Sequence, residues 1–253
     1  MEIRVDAPQR HVVVVTIDNQ PRRNAMTRAM MADLAALWDR LDGPDADCRC
    51  VVLTGAGTRA FSSGADMAGD LSADEAAART INRALLKDSV FTKPIVAAVN
   101  GDCVAGGLEL LLSTDIRGAA ADARFGLPEV KWSIYPFGGA TVKLVRQLGH
   151  VHAMDLLLTG RLVDAGHAER IGLVNLVLER ERLIDWAMAT AGAIVANSPT
   201  AVQAVKQQIS TMSADFARSR EALEQTLGDR VRTSADFREG VAAFLAKRTP
   251  NYV

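Results

Sequence analysis

Ile95-Val96-Ala97-Ala98-Val99-Asn100-Gly101-Asp102-Cys103-Val104-Ala105-Gly106-Gly107-Leu108-Glu109-Leu110 runs from a β-branched apolar segment through small residues into a second apolar segment. Ile95–Val99 has the composition of a strand, and Leu108 to Leu112 reads as the helix that follows it. The small residues between them free the backbone for close approach of a ligand, and the Gly106 amide falls at the positive end of the helix dipole. Glu109 sits three residues later, on a neighbouring face of the first turn, so amide and carboxylate can address one small volume. Taken alone, a first-turn glutamate often does no more than complement that dipole.

The same alternation extends in both directions. Val12–Asp18, Cys50–Thr54, Asp115–Ala119 and Leu173–Leu178 are further strand candidates, and Met1 to Asp6 alternates charged and apolar residues like a first strand. Met30, Leu34, Leu37, Trp38 and Leu41 share one helical face, which predicts an amphipathic helix from Thr27 to Leu41, ended by Gly43-Pro44. Strands alternating with helices argue for an α/β architecture. From Arg180 onward the chain is almost entirely helix-forming, with Ser198-Pro199 as an N-cap and first-turn pair and Ser234 as a second cap. The expected division is a core over 1–195 and a helical region over 196–253 whose apolar positions must bury against its own subunit or a neighbour. No fixed-period repeat stands out.

Composition sets limits on partners. With 253 residues, 49% of them hydrophobic and 23% charged, the chain is an ordinary globular one. A net charge of −1 supplies no general attraction for nucleic acid or an anionic membrane. The amino terminus lacks the apolar middle of a secretory signal, and the longest apolar runs are strand-sized, far short of the roughly 20 residues that span a bilayer. Three cysteines, Cys48, Cys50 and Cys103, suit a reducing compartment, so a cytoplasmic location is expected.

Two more segments carry chemistry. Thr54 to Asp66 follows a strand, and Gly55, Gly57 and Ala60 satisfy the G-x-G-x-x-G/A pattern of dinucleotide-binding folds. Phe61-Ser62-Ser63-Gly64 follows where that mechanism needs a helix, which argues against a nicotinamide site. Phe125 to Val130 is a turn punctuated by Gly126 and Pro128 that can present the Glu129 carboxylate at the end of a strand, although such a glutamate is more often a solvated loop residue. His11, His150, His152 and His167 have no cysteine or carboxylate pattern that completes a metal site. Ser62-Ser63 has no motif pairing it with a histidine base.

Together these segments resemble the crotonase (enoyl-CoA hydratase/isomerase) family over essentially the whole chain. The resemblance begins at Asn19-Gln20-Pro21-Arg22-Arg23-Asn24-Ala25-Met26. It continues through Phe61 to Asp66, Asn100 to Leu110, Phe125 to Glu129, Leu156 to Arg161 and Gly172-Leu173-Val174, and closes with Phe237 to Gly240 and Phe244 to Arg248. It implies a spiral of ββα units with a helical carboxyl-terminal region, assembled as a trimer or a dimer of trimers. It also implies an acyl-CoA substrate, with coenzyme A present only as part of that substrate and no metal or redox cofactor. By this resemblance the backbone N–H groups of Ala65 and Gly106 form an oxyanion hole, and Glu109 and Glu129 are the two carboxylates of members that hydrate enoyl-CoA. In that assignment Glu109 activates water and Glu129 protonates the α-carbon. Arg23, Ala25, Arg59, Ser63 and Asp66 match CoA-binding positions, and Phe244 and Lys247 match carboxyl-terminal CoA contacts that can come from an adjacent subunit.

This sequence also departs from the family pattern. Ala105 replaces the first of three glycines, and Pro21 and Asn24 are separated by two residues where relatives more often have three. Trp132-Ser133-Ile134-Tyr135-Pro136-Phe137-Gly138-Gly139-Ala140-Thr141 stands where many relatives carry Ile-Pro-Gly-Ala-Gly-Gly-Thr, so Tyr135 and Phe137 either add bulk at the acyl site or are simply core. Residues 67–93 offer no readable specificity. The rivals to a hydratase are a Δ3,Δ2-enoyl-CoA isomerase, a specialised acyl-CoA dehydratase, and a CoA- or RNA-binding protein that kept the scaffold without turnover.

Overall fold

A computed structural model describes residues 1–43, 46–66 and 75–252; Pro44, which the sequence reading places at the end of the first helix, lies outside them. β1 (Glu2–Gln9) and β2 (Val12–Asp18) form an antiparallel pair. β3 (Cys50–Gly55), β5 (Ile95–Val99), β7 (Ile116–Ala120) and β10 (Leu176–Leu178) extend β2 in parallel, giving the order β1-β2-β3-β5-β7-β10. A second sheet runs β4 (Ala60–Ser62), β6 (Asp102–Val104), β8 (Arg124–Gly126) and β9 (Val163–Asp164). Each turn of the chain thus lays one strand in the large sheet and a short one in the small sheet before a helical segment returns it: α2 (Glu75–Ala84), α3 (Gly106–Leu111), then a 3-10 turn (Pro128–Trp132) leading into α4 (Ala140–Leu148). This is the mixed α/β spiral that the resemblance implies.

The uninterrupted apolar strands are explained by cover on both faces. Val51 and Leu53 of β3 share a core with Ile95 and Ala97 of β5 and with Leu34 and Trp38 of α1 (Arg28–Asp42). Val52, Val96 and Ala98 point the other way, onto Leu183 and Ala187 of α7 (Arg180–Val195). The side-chain alternation of a strand therefore feeds two cores at once.

Helix ends follow their caps. Thr27 accepts a hydrogen bond from the Met30 amide, Ser198 from Ala201 and Ser234 from Phe237, opening α1, α8 (Pro199–Arg232) and α9 (Ala235–Ala246). The strand expected from Leu173 starts only at Leu176. Before it, the Leu173 amide donates to Ala168 O at 2.8 Å, and Gly172, at φ +78°, turns the chain out of α6 (Ala165–Arg170). The expected Asp115–Ala119 strand starts one residue late, because the Asp115 carboxylate accepts from the Ile95 amide at 2.8 Å and caps the neighbouring strand.

Candidate active site

The two segments that follow β3 and β5 meet at their backbones. Met26 N donates to Gly64 O at 2.7 Å and Asp66 N to Met26 O at 2.9 Å, forming the Met26–Ala65 bridge. Those bonds face one side of the extended segment and turn the Ala65 N–H to the other. On that other side Gly106 begins α3, where an amide has no intrahelical partner. A Cβ on Gly106 would lie 3.5 Å from the Ala65 nitrogen, so the two amides are neighbours. Gly64 keeps the space beside them open: it sits at φ +91°, and a Cβ there would come within 2.8 Å of the Gly106 nitrogen.

Glu109 and Glu129 are both buried, at 5% and 8% exposure, which removes the solvated-loop alternative for Glu129. Glu109 Oε1 accepts from the Ala140 amide at 3.2 Å, and the absent side chain of Gly138 leaves room for Oε2. Burial raises Glu109 to about 7, opposed by the amides of Ala140 and Gly138 and by Lys87, and assisted by Glu224. Glu129 enters the 3-10 turn behind Pro128, and its Oε2 has no hydrogen-bond partner. Burial first, and then the Glu109 charge, pushes Glu129 up to about 8.

A second cluster lies behind Glu109. Lys87 and Glu224, 4% and 5% exposed at their side chains, pair at 2.8 Å, and the Thr141 hydroxyl donates to Glu224 Oε1 at 2.6 Å. The Tyr135 phenol joins Thr141, and its ring tilts against Phe137 at 5.0 Å. Phe137 fills the gap left by Gly228 of α8, so these two rings are half-buried beside the cluster and are not fully core. Lys87 and Glu224 belong to no motif. Glu224 does fall on the stripe of small buried residues Ala214, Ala217 and Gly228, and a charge on such a stripe is the signal that could have found it.

The remaining predicted positions fall in two places. Arg23 and Arg59 line one cavity of about 270 Å³ with Gln20, Asn24 and Gly57. Asn24 knits its walls together, donating to Ala56 O at 2.9 Å and Ala60 O at 2.7 Å. Ser63 closes onto the same segment, with its amide to Arg23 O at 3.1 Å and its hydroxyl to Arg22 O at 3.1 Å, while Asp66 approaches Arg22 at 3.6 Å. Ala25 is buried, and its carbonyl accepts from Asn19 at 2.7 Å. Phe244 and Lys247 are set apart: Phe244 meets the Trp132 ring edge-on at 5.2 Å and Lys247 caps α9, both toward the surface. A larger cavity, about 360 Å³, lies under α8, but its cations Lys87, Arg117, Lys143 and Lys206 are all engaged within the chain. Among the described residues no group of His, Cys, Asp and Glu is placed to hold a metal, and no helix is long and apolar enough to cross a membrane.

Residues 8–253 match the enoyl-CoA hydratase/isomerase family model. The chain is 41% identical to the enoyl-CoA hydratase EchA19 of Mycobacterium tuberculosis, over 96% of this chain and 93% of that one. It is 37% identical to the (E)-benzylidenesuccinyl-CoA hydratase of Thauera aromatica, over 96% and 95%. Among solved structures, a carnitinyl-CoA dehydratase from Mycobacterium avium superimposes with a TM-score of 0.88 at 32% identity, covering 99% of this chain and 98% of the other.

Proposed function

The chain belongs to the enoyl-CoA hydratase/isomerase family, and we propose that within it this protein is an enoyl-CoA hydratase, adding water to a trans-2-enoyl-CoA to give a 3-hydroxyacyl-CoA. The observation that carries this reading is the burial of two carboxyls, Glu109 three residues after the Gly106 amide and Glu129 raised in part by the Glu109 charge, in a fold that also brings the Ala65 and Gly106 amides together. The thioester oxygen accepts from the N–H groups of Ala65 and Gly106, which stabilise the enolate; one such donor is typically worth about 2.7–4 kcal/mol of barrier. Glu109, ionised, takes a proton from water as the oxygen adds to the β-carbon, and Glu129, protonated, delivers its proton to the α-carbon. The sum is water added across the double bond, with the proton left on Glu109 returned to Glu129 or exchanged with solvent. This chemistry changes no redox cofactor and calls for no metal.

In the same reading, Arg23 and Arg59 hold the CoA phosphates at their shared cavity, with Ala25, Ser63 and Asp66 beside them. Tyr135 and Phe137 bound the acyl group, and a neighbouring subunit of a trimer or dimer of trimers brings Phe244 and Lys247 to the CoA. The test is loss of absorbance of the conjugated thioester of crotonyl-CoA. Glu109→Gln and Glu129→Gln should each lower kcat roughly 100- to 10,000-fold; residual rates equal to wild type would remove the assignment. The wild-type profile should rise with pH as Glu109 ionises near 7 and fall as Glu129 loses its proton near 8. Faster turnover of a 3-enoyl-CoA than of crotonyl-CoA would favour the isomerase instead.

A further inference from the structure

Lys87 and Glu109 flank two consecutive glycines. The Glu109 carboxylate occupies the space a Cβ on Gly138 would fill, and the Lys87 stem passes 3.3 Å from where a Cβ on Gly139 would sit. A buried ammonium this near a buried carboxylate would ordinarily close onto it as a direct ion pair and hold it ionised and unreactive. Here the ammonium is claimed from the other side. Glu224, reaching in from α8, lies 2.8 Å from Lys87 Nζ, and its second oxygen is fixed by the Thr141 hydroxyl at 2.6 Å. The Lys87–Glu224 contact lacks hydrogen-bond geometry, so it acts through charge. A buried ion pair is weak evidence for stability, and this one, set against a reacting acid, calls for another account.

We propose that Lys87 and Glu224 are positioning residues for Glu109, with Glu224 drawing the Lys87 ammonium off the carboxylate so that Glu109 stays exchangeable and available as a base. The inference deepens the hydratase reading and rests on it for the role of Glu109. Five groups act on Glu109 from the elements around it: Lys87 after α2, Glu129 from the 3-10 turn, Tyr135 from the loop that follows, Lys143 from α4 and Glu224 from α8. Lys143 is held by Leu86 O at 2.6 Å and the Ser113 hydroxyl at 2.7 Å, so of these two ammonium groups Lys87 is the one paired with an acid.

The signs are opposite for the two substitutions. Glu224→Gln removes a neighbouring negative charge and frees Lys87 for Glu109, so the Glu109 midpoint falls, by about one pH unit. Lys87→Met leaves two acids facing each other, so the midpoint rises by about as much. The double variant removes both effects and returns close to wild type. The experiment is an infrared titration of the full-length protein, with the protonated carboxyl of Glu109 assigned by difference against Glu109→Gln, alongside the pH dependence of kcat on crotonyl-CoA. The expected result is opposite shifts in the single variants, cancelled in the double, with the acid limb of kcat following. An unmoved or raised midpoint in the near-isosteric Glu224→Gln overturns the proposal even if Lys87→Met fails to fold. So does a folded double variant that stays displaced. Because the infrared reading needs no substrate, shifted midpoints in a protein that does not turn over crotonyl-CoA would support the cluster while removing the hydratase reading.

Discussion

Ala105 carries a backbone conformation that its side chain resists. It precedes Gly106 at φ 51° and ψ −132°, a region that is open to glycine and costs other residues about 1–3 kcal/mol. The close meeting of Gly64 with α3 imposes this turn, which explains why a glycine is usual there. Ala105→Gly should therefore raise stability by about 1 kcal/mol, strain relief outweighing the added freedom of the unfolded chain. Chemical denaturation reads this directly, and a loss of stability would show that the turn is not strained. At the same scale, the sequence reveals Glu109 and Glu129 because each stands beside turn-forming glycines or a proline. It conceals Lys87 and Glu224, because their meaning lies in a contact across 137 positions that no local spacing encodes. Residues 67–74, part of the segment whose specificity the sequence left unread, lie outside the described residues.

Among the elements, β3 and β5 were legible because burial on both faces demands unbroken apolar runs, and β1 because its charged and apolar residues alternate, whereas β4, β6, β8 and β9, of three residues or fewer, offer too little pattern to read. The spiral repeat was also hidden: β3, β5 and β7 begin at residues 50, 95 and 116, so successive turns differ too much in length to give a period. α8 was readable as a helix, but its contacts were not. Its Gly228 is filled by Phe137, whose ring a Cβ would meet at 1.8 Å, and that ring is boxed in by Tyr135 at 5.0 Å and the Arg232 guanidinium at 5.1 Å. Gly228→Ala should gain about 1 kcal/mol of helix propensity and lose more to overpacking, typically about 1–3 kcal/mol. A net loss of stability is expected, with an altered KM for acyl-CoA. Adding Phe137→Leu should recover most of that stability, a coupling that a double-mutant cycle measures. Additive losses would mean the helix and the loop are not in register at this point.

At the scale of the whole molecule, α8 has one face fixed and another left open. Gln203 accepts from Lys93 at 3.0 Å, Lys206 pairs with Asp115 at 2.5 Å and Ser210 donates to Phe91 O at 3.2 Å, which pins the helix to the segments that lead into β5 and β7. Val205, Ile209 and Met212, at helical spacing beside those anchors, are exposed at 68%, 61% and 48%. Val151 and Leu158 of α5 (His150–Thr159) are similarly open. Apolar side chains aligned in this way mark an interaction surface, and a second copy of the chain in the proposed trimer is the occupant they suit. Sedimentation should then give three or six times 27.1 kDa, and Ile209→Glu, which places a charge in the middle of the stripe, should shift the protein toward smaller species. If Phe244 and Lys247 reach the CoA of a neighbour, the dissociated variant will bind acyl-CoA more weakly, with KM raised about tenfold or more, the loss of roughly 1.4 kcal/mol of binding. Its pH profile should be unchanged, because Glu109, Glu129, Lys87 and Glu224 all belong to one subunit. A wild-type chain that sediments as a 27.1 kDa monomer at micromolar concentration and still turns over enoyl-CoA would remove both the assembly and the borrowed CoA contacts.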